Sequence, residues 1–139
     1  MTHDREWYED WQPPVIEHNK LTEWGWWVTR PDNLVLGKYV DIGAFTYINA
    51  LNGIVIEDDV EIGSGCAIYS VSTIDGKTGT VTLKKGCRIG AHSVIMPGVT
   101  IGENTVVGAV SYVTGDLPGN VIAFGVPARI HRHIGPITV

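Results

Sequence analysis

The chain has 139 residues, of which 44% are hydrophobic and 18% charged, and its formal net charge at pH 7 is −5. This length is typical of one domain, and the negative charge argues against nucleic-acid binding, which needs a basic surface. No apolar run is long enough for a membrane span and no signal peptide opens the sequence, so we expect a cytoplasmic protein.

Residues 1–33 hold every tryptophan of the chain: Trp7, Trp11, Trp24, Trp26 and Trp27. Pro13 and Pro14 interrupt any helix there, so the longest helix we predict is a short one over Asp4–Trp11. We expect this segment to cap the hydrophobic end of the domain that follows. The alternative is that it walls a substrate pocket or reaches a neighbouring copy of the chain.

From residue 36 to residue 113 an aliphatic residue recurs at every sixth position, with two shifts of register. These residues are Leu36, Ile42, Ile48, Ile56, Ile62, Ile68, Ile74, Leu83, Ile89, Ile95, Ile101, Val107 and Val113. A period of six fits a short strand plus a tight turn, and three such units close one triangular coil. The pattern predicts an all-β protein, a parallel β-helix of about four coils over residues 34–118.

Two further positions of the hexad are restricted to small residues. Glycine follows the aliphatic residue at six places, and we expect it to supply the backbone conformation of a sharp corner. The residue four after the aliphatic one is small or β-branched, and Cys66 and Cys87 both occupy this position. We expect the two cysteines to stack one coil apart as reduced core residues.

The two register shifts predict irregular segments between coils. The first is a bulge over Asn49–Gly53, and the second is a polar, glycine-rich loop over Asp75–Thr80. Loops on a rigid solenoid often carry function, so this loop is either part of a site or an inert insertion. After Pro118 the hexad phase ends, and residues 119–139 form a predicted tail with a closing helical turn over Ala128–His133.

Charge is divided unevenly along the chain. Residues 1–76 contain four Lys or Arg against thirteen Asp or Glu, whereas residues 77–139 contain six against two. The basic residues of the second part are Lys77, Lys84, Lys85, Arg88, Arg129 and Arg132. Such an excess favours an anionic ligand at that end of the domain, the alternative being a solvated surface with an accidental imbalance.

Residues 89–130 read IGAHSVIMPGVTIGENTVVGAVSYVTGDLPGNVIAFGVPARI. Together with the hexads, this stretch resembles the left-handed β-helix of the hexapeptide-repeat acyltransferase superfamily, and the likeness covers residues 34–133. The resemblance implies a left-handed coil and a homotrimer with its sites between subunits. It also implies acetyl-CoA as the acyl donor and a sugar acceptor in polysaccharide biosynthesis. A zinc-dependent carbonic anhydrase class shares this fold, but its site needs three histidines and the repeat contains only His92, so we expect no metal.

The resemblance also indicates site residues. Backbone groups around Ala91, Ala109 and Gly125 are expected along the pantetheine arm of CoA. Arg129, in the GVPAR motif, falls where relatives place a basic residue near a CoA phosphate, and Arg132 is a second candidate. The acceptor candidates are Asn49, Asn52, Tyr69, Ser70 and Thr73. Asn side chains can recognise hydroxyl groups, although the two here are equally ordinary turn residues.

Acyl transfer needs a group that takes a proton from the attacking amine or hydroxyl, and histidine is the usual base near neutral pH. His92 is the candidate because its hexad position predicts an outward side chain; the alternative is an exposed histidine without a catalytic role. In sugar O-acetyltransferases of this superfamily a catalytic histidine lies in the stretch that matches residues 69–73, where this chain has none.

That departure favours an amine acceptor, for which the departing CoA sulfur could take the proton instead of a protein base. The sequence therefore predicts transfer of an acetyl group to a sugar, favouring the amino group of a nucleotide-linked amino sugar. Sugar O-acetylation is the first alternative, and a catalytically silent trimer that acts as a scaffold is the second.

Overall fold

A computed structural model describes residues 11–135 of the chain. It contains fifteen short strands and one turn of 3₁₀ helix over Pro31–Asn33. The strands are β1 (Trp27–Thr29), β2 (Leu34–Leu36), β3 (Asp41–Ile42), β4 (Tyr47–Asn49), β5 (Ile54–Ile56), β6 (Glu61–Ile62), β7 (Ala67–Tyr69), β8 (Val81–Leu83), β9 (Arg88–Ile89), β10 (Val94–Ile95), β11 (Thr100–Ile101), β12 (Val106–Val107), β13 (Tyr112–Val113), β14 (Val121–Gly125) and β15 (Ala128–His133).

The strands form three parallel sheets that the chain visits in rotation. Sheet A has the order β1-β4-β7-β10-β13, sheet B the order β2-β5-β8-β11, and sheet C the order β3-β6-β9-β12-β14, with β15 added at its edge. Each coil thus gives one strand to each face of a triangular prism. The predicted left-handed parallel β-helix is confirmed, with about five coils rather than four.

The additional coil lies at the N-terminal end, inside the segment that we expected to be only a cap. Strand β1 pairs in parallel with β4, and its buried Val28 shares a register row with Ile48. The period of six does not reveal this coil because Val28 lies eight positions before Leu36, with the 3₁₀ turn over Pro31–Asn33 between them. The same two-residue shift separates Ile48 from Ile56. Of the helix predicted over Asp4–Trp11, residues 4–10 lie outside the described residues, as does Trp7.

The rest of the tryptophan-rich segment covers the first coil. Trp11, Pro14, Trp24 and the buried Trp26 lie around a cavity of about 600 Å³, whose opposite wall includes Leu36, Val40 and Ile42. Capping of the first coil stays our prediction for this segment. Within residues 11–135 there is no helix long and apolar enough to span a bilayer.

Coil length shows how the second register shift is accommodated. Val28, Ile48, Ile68, Ile95 and Val113 follow one another in sheet A, so successive coils contain 20, 20, 27 and 18 residues. The third coil is therefore nine residues longer than the fourth, whereas the sequence suggested three. The difference is one whole hexad, which the loop takes up.

Two predictions are wrong for this reason. Ile74, counted among the inward aliphatic residues, is 96% exposed on the loop. The two cysteines do not stack on each other. Cys66 hydrogen bonds through its backbone N–H to the Thr46 hydroxyl of the coil before, while the Cys87 carbonyl accepts from the N–H of Glu61 at another corner.

The glycine that follows the aliphatic residue has a different role from the one predicted. The left-handed backbone conformation belongs to the fourth hexad position, as at Phe45 (φ 64°) and Asn104 (φ 60°). Gly63, at the second position, is required by close approach, because a Cβ there would lie 2.6 Å from the backbone nitrogen of Ala91 in the next coil. The narrow spacing of the coils, not the corner conformation, selects glycine.

The C-terminal helical turn is also a wrong prediction. Residues Ala128–His133 form β15, which pairs antiparallel with β14 and extends sheet C. Gly125 ends β14 directly before the two-residue turn, and its φ of 114° suits a residue without a Cβ. The end of the hexad period therefore marks the start of a hairpin, because β15 folds back on β14 and does not begin a further coil.

Candidate functional site

The chain bends at three corners in each coil, and the predicted site residues occupy two of them. The C–A corner is where the chain passes from sheet C to sheet A, at residues 43–46, 63–66, 90–93 and 108–111. The A–B corner is where it passes from sheet A to sheet B, at residues 50–53, 70–80 and 96–99. Tight turns at these places aim backbone and side-chain groups outward from a rigid core.

His92 lies at the C–A corner, in the fourth hexad position, with φ 60°. Its side chain is exposed, as predicted, and its backbone N–H donates to the Ser64 carbonyl at 2.9 Å. The imidazole covers Gly65 of the coil before, where a Cβ would lie 2.5 Å from His92 Cε1. Gly65 therefore leaves room for this ring orientation.

The three residues predicted along the pantetheine arm come together beside His92. Ala91 and Ala109 stack in consecutive coils, because the N–H of Val110 donates to the Ala91 carbonyl at 2.9 Å. Gly125 continues the stack, two residues after Ala123, which pairs with Val107. Side chains this small leave the backbone accessible, so a thin flexible chain could lie along the C–A corner.

The basic candidates lie on the terminal hairpin. Arg129 and Arg132 are exposed on β15, and Arg129 is directly opposite Phe124 in the register. The guanidinium of Arg129 donates to the Ala128 carbonyl at 3.1 Å. His131 packs against the Phe124 ring with centroids 5.0 Å apart. Gly125 is part of this hairpin, at the end of β14, so the positive charge of β15 is next to one end of the small-residue stack.

Four of the five predicted acceptor residues meet where β4 and β7 enter the A–B corner. Asn49 and Tyr69 are register partners. Ser70 is buried, and its hydroxyl donates to the Asn49 carbonyl at 2.7 Å while accepting from the N–H of Asn52 at 2.9 Å. Ser70 therefore links two coils, and its hydroxyl is occupied by protein groups. Tyr69 and the two Asn side chains remain the outward groups.

The carboxamide of Asn49 is oriented by its own turn. Its oxygen accepts from the N–H of Leu51 at 3.1 Å. The amide nitrogen is then the end that can donate to an oxygen of a ligand. The Asn52 amide instead donates to the Ser70 carbonyl at 3.4 Å, so Asn52 contributes mainly to the corner itself.

Thr73, the fifth candidate, lies on the loop that projects from the same corner. The loop is a small hairpin in which Ser72 N–H donates to the Lys77 carbonyl at 2.8 Å and Gly79 N–H donates to the Ser70 carbonyl at 3.0 Å. Hydrogen bonds from the Ser72 side chain and the Lys77 N–H lower the pKa of the Asp75 carboxyl. Thr73 and Ile74 are exposed at its far end.

An aromatic row on the outer face of sheet A was not predicted from the sequence. Trp27 and Tyr47 pair in register with ring centroids 5.2 Å apart, and Tyr47 meets Tyr69 edge-on at 6.0 Å. The Tyr47 hydroxyl lies 2.6 Å from the hydroxyl of Thr29. The available signal was the position of Trp27 and Tyr47, each directly before a buried aliphatic residue and therefore outward.

The cysteines do not supply a nucleophile. Burial raises the pKa of the Cys66 thiol, whose hydrogen points to the Gly90 carbonyl at 3.2 Å. Burial also raises the pKa of Cys87 to about 12. Both thiols therefore stay protonated near neutral pH, and the thiolate is the reactive form.

The structure brings together the candidates for the acyl donor and, separately, the candidates for the acceptor, but it places these two groups at different corners of one chain. His92 and the alanine stack lie where the chain enters sheet A, whereas Asn49 and Tyr69 lie where it leaves. Met96, which directly follows β10 and corresponds to Tyr69, is four positions after His92. Four positions are about 13 Å of extended chain at roughly 3.3 Å per residue. A nucleophile bound at one corner would therefore be too far from a thioester bound at the other corner of the same coil to attack it.

Comparison with known proteins accounts for the repeat. Residues 80–115 match the family described as bacterial transferase hexapeptide (six repeats). The chain is 38% identical over 123 residues to the galactoside O-acetyltransferase of Escherichia coli, a match that covers 78% of this chain and 61% of that relative. The chain therefore spans about three fifths of the length of this curated relative.

Solved structures give the same result at the level of the fold. A hexapeptide-repeat acetyltransferase of Vibrio cholerae, complexed with acetyl coenzyme A, superposes with a TM-score of 0.76 at 28% identity, covering 80% of this chain and 66% of that one. A variant of AntD, an N-acyltransferase of Bacillus cereus bound to dTDP-4-amino-4,6-dideoxyglucose and coenzyme A, has a TM-score of 0.57 at 32% identity over 81% and 72% of the two chains. The chain belongs to the hexapeptide-repeat acyltransferase superfamily, as its sequence predicted.

Proposed function

We propose that this protein transfers an acetyl group from acetyl-CoA to a sugar, and that the acceptor atom is the amino nitrogen of a nucleotide-linked amino sugar. The observation that carries this proposal is the stack of Ala91, Ala109 and Gly125 beside the outward His92. It offers a narrow path with accessible backbone that ends at a group able to take a proton.

The C–A corner is suited to the acyl donor. A pantetheine arm is thin and carries amide groups, so it fits a path where small side chains leave the backbone open. Arg129 and Arg132 at the end of this path could pair with CoA phosphates, and arginine holds such groups through two parallel hydrogen bonds. CoA in the complexes of the relatives supports this use of the fold.

The A–B corner and the outer face of sheet A are suited to the acceptor. The rings of Tyr47 and Tyr69 offer flat apolar surface for the C–H face of a sugar or for a nucleotide base. The Asn49 amide can donate to a ring hydroxyl. Aromatic surface combined with a few fixed polar groups is a common arrangement for binding small polar ligands.

A homotrimer would bring the two corners together. Because about 13 Å of extended chain separates them within a coil, we infer that the C–A corner of one copy faces the A–B corner of its neighbour. The loop bearing Thr73 and Ile74 would then extend over the boundary between the copies. A cyclic assembly of this kind repeats the same contact three times and produces three equivalent sites.

The reaction follows from this arrangement. The sugar nitrogen attacks the thioester carbonyl, a C–N bond forms, and the carbonyl oxygen becomes negatively charged. Collapse of this intermediate breaks the C–S bond and releases CoA as a thiolate. His92 accepts the proton that nitrogen loses and can return it to the sulfur, which leaves an amide and the free thiol of CoA.

A hydroxyl acceptor is the second candidate, because the relative with 38% identity is a galactoside O-acetyltransferase. A hydroxyl is a weaker nucleophile and depends more on a base. The chain has Thr73 and no histidine in the stretch over residues 69–73, so His92 is our candidate for that role.

The test begins with calorimetric titration of acetyl-CoA into the purified protein, where about one equivalent bound per chain is expected. Release of free CoA thiol is then followed with matched acceptors, such as a nucleotide-linked amino sugar and the same sugar carrying a hydroxyl at that carbon. Faster release with the amine supports N-acetylation, and faster release with the hydroxyl supports the second candidate. Absence of acetyl-CoA binding would exclude both and favour a scaffold.

A further inference from the structure

A chain of hydrogen-bonded side chains runs from the N-terminal segment onto the outer face of sheet A. The carboxamide of Asn19 lies between His18 and Thr29, with 3.0 Å from its Nδ2 position to His18 Nε2 and 2.6 Å from its Oδ1 position to Thr29 Oγ1. Thr29 Oγ1 is in turn 2.6 Å from the hydroxyl oxygen of Tyr47. The series therefore ends at the aromatic row proposed to meet the acceptor.

The backbone fixes the start of this series. The N–H of Asn19 donates to the Val28 carbonyl at 2.8 Å, which ties the segment to β1, and Asn19 adopts φ 57°. The N–H of Arg30 donates to Nδ1 of His18 at 3.0 Å. Nδ1 is therefore an acceptor, and a neutral imidazole then carries its single hydrogen on Nε2.

This tautomer sets the direction of every hydrogen bond that follows. The Nε2 hydrogen of His18 needs an acceptor, and a carboxamide accepts only through its oxygen. Half a turn of the Asn19 carboxamide exchanges its two ends with nearly unchanged shape, so its neighbours decide the orientation. As the side chain stands in the structure, its oxygen accepts from the Thr29 hydroxyl and its NH₂ group faces Nε2 of His18, so two donors meet there. The exchanged orientation removes this conflict: the oxygen accepts from His18, and the NH₂ group donates to Thr29.

Thr29 then passes the same direction to Tyr47. The Thr29 oxygen accepts from Asn19, so the Thr29 hydroxyl hydrogen is directed at the other partner, the Tyr47 oxygen at 2.6 Å. The Tyr47 oxygen accepts this bond, and its own hydrogen is left to point outward. Packing against Trp27 and Tyr69 holds the ring while the hydroxyl donates.

We propose that His18, Asn19 and Thr29 are positioning residues that orient the Tyr47 hydroxyl as a hydrogen-bond donor toward an oxygen of the acceptor sugar. This inference rests on the proposed function, since it assumes that sheet A meets the acceptor. It gives the N-terminal segment a role in acceptor binding in addition to covering the first coil. Without the series, Tyr47 would be equally free to accept or to donate.

The first experiment removes the link between Asn19 and Tyr47. Thr29→Val keeps the shape of the side chain and deletes the hydroxyl, and Thr29→Ser is the matched control that keeps it. We expect Thr29→Val to lower kcat/KM for the acceptor roughly threefold to tenfold, as for loss of one hydrogen bond, with the KM for acetyl-CoA unchanged. Thr29→Ser should stay near the wild-type value.

A double-variant cycle separates positioning from a merely structural effect. In a Tyr47→Phe background the hydroxyl is gone, so Thr29→Val should cause no further loss. An equal loss in both backgrounds would overturn the proposal. Asn19→Asp, whose carboxylate only accepts, should turn the Thr29 hydrogen away from Tyr47 and lower kcat/KM for the acceptor, but not in a Thr29→Val background. Wild-type kcat/KM for Asn19→Asp would contradict the stated direction.

A spectroscopic measurement on the ligand-free protein keeps this inference separate from the proposed function. The chain has five tyrosines, and with ¹³Cζ-labelled tyrosine the resonance lost in Tyr47→Phe belongs to Tyr47. That resonance should move in Thr29→Val and in Asn19→Asp and stay in place in Thr29→Ser. If it moves but no sugar is acetylated, the proposed function fails while the series stands. If sugars are acetylated and the resonance does not move, the series fails.

Discussion

The C–A corner and the A–B corner belong to the same coils but are built from different materials. At the C–A corner, backbone groups and small residues such as Ala91 and Ala109 repeat with the hexad. At the A–B corner, side chains make the contacts, as in the hydrogen bonds of Ser70 and the rings of Tyr47 and Tyr69. The A–B corner also contains both insertions of the chain.

This difference indicates how one fold can serve many acceptors. A path made of backbone and small residues depends on coil spacing, which every hexad maintains, and in the proposed function it is the part that meets acetyl-CoA. A surface made of side chains and loops can change without disturbing the coils. We therefore expect variants at the C–A corner to affect CoA and variants at the A–B corner to affect the sugar.

The largest expected effect is on the proposed proton acceptor. His92→Ala should lower turnover by roughly 10²–10⁴-fold, the usual contribution of a general base, while calorimetry shows unchanged acetyl-CoA binding. Asn104→Ala is the matched control, because Asn104 has the same hexad position and the same φ of 60° at a different corner. Near-normal turnover in His92→Ala would leave the departing thiolate as the base.

A smaller effect is expected where the C–A corner adjoins the terminal hairpin. If Arg129 contacts a CoA phosphate, Arg129→Ala should weaken CoA binding roughly tenfold or more, as for loss of a charge-assisted hydrogen bond. The same variant should change the affinity for dephospho-CoA much less, provided that the contacted group is the phosphate removed in that analogue. Calorimetry with both ligands makes the comparison, and equal weakening would refute contact with that phosphate.

The spacing of the coils gives a stability prediction for the C–A corner. Gly63→Ala places a Cβ within 2.6 Å of the Ala91 nitrogen, so the two coils must move apart. We expect the free energy of unfolding to fall by about 1–3 kcal/mol, as for other overpacked sites. Gly115→Ala is the control, since a Cβ there meets nothing within 4 Å. Urea denaturation measures both variants, and equal midpoints would contradict the close-approach explanation.

The same contrast explains what could be predicted from the sequence. Positions at the C–A corner follow the hexad, so the outward His92 and the positions of Ala91 and Ala109 were predicted from spacing and family likeness. At the A–B corner the 27-residue coil absorbs a whole hexad, which made the exposed Ile74 look like a core residue. Nothing in the periodicity distinguishes a looped-out hexad from one inside a coil.

The six-residue spacing also does not predict contacts between elements that lie outside the hexads. Trp27 of the aromatic row and Thr29 of the His18 to Tyr47 series belong to β1. This strand lies in the first coil, which the 3₁₀ turn over Pro31–Asn33 separates from the hexads. The terminal hairpin was missed because β15 pairs antiparallel, which no repeat encodes. Tertiary pairing decided these elements.

The smallest expected effect concerns acid sensitivity, and it should appear only at the A–B corner. The folded loop lowers the pKa of Asp75 through hydrogen bonds from the Ser72 side chain and the Lys77 N–H. A lowered folded pKa means that these bonds favour the ordered loop above the ordinary value of 3.8 and lose that contribution as the pH falls through the folded pKa. Amide NMR shifts of Ser72 and Lys77 should therefore change below about pH 4, and much less so in Asp75→Asn. Equal changes in the wild type and in Asp75→Asn would mean that another group titrates. The hydrogen bonds of the Asp75 carboxylate would then not be what orders the loop at this corner.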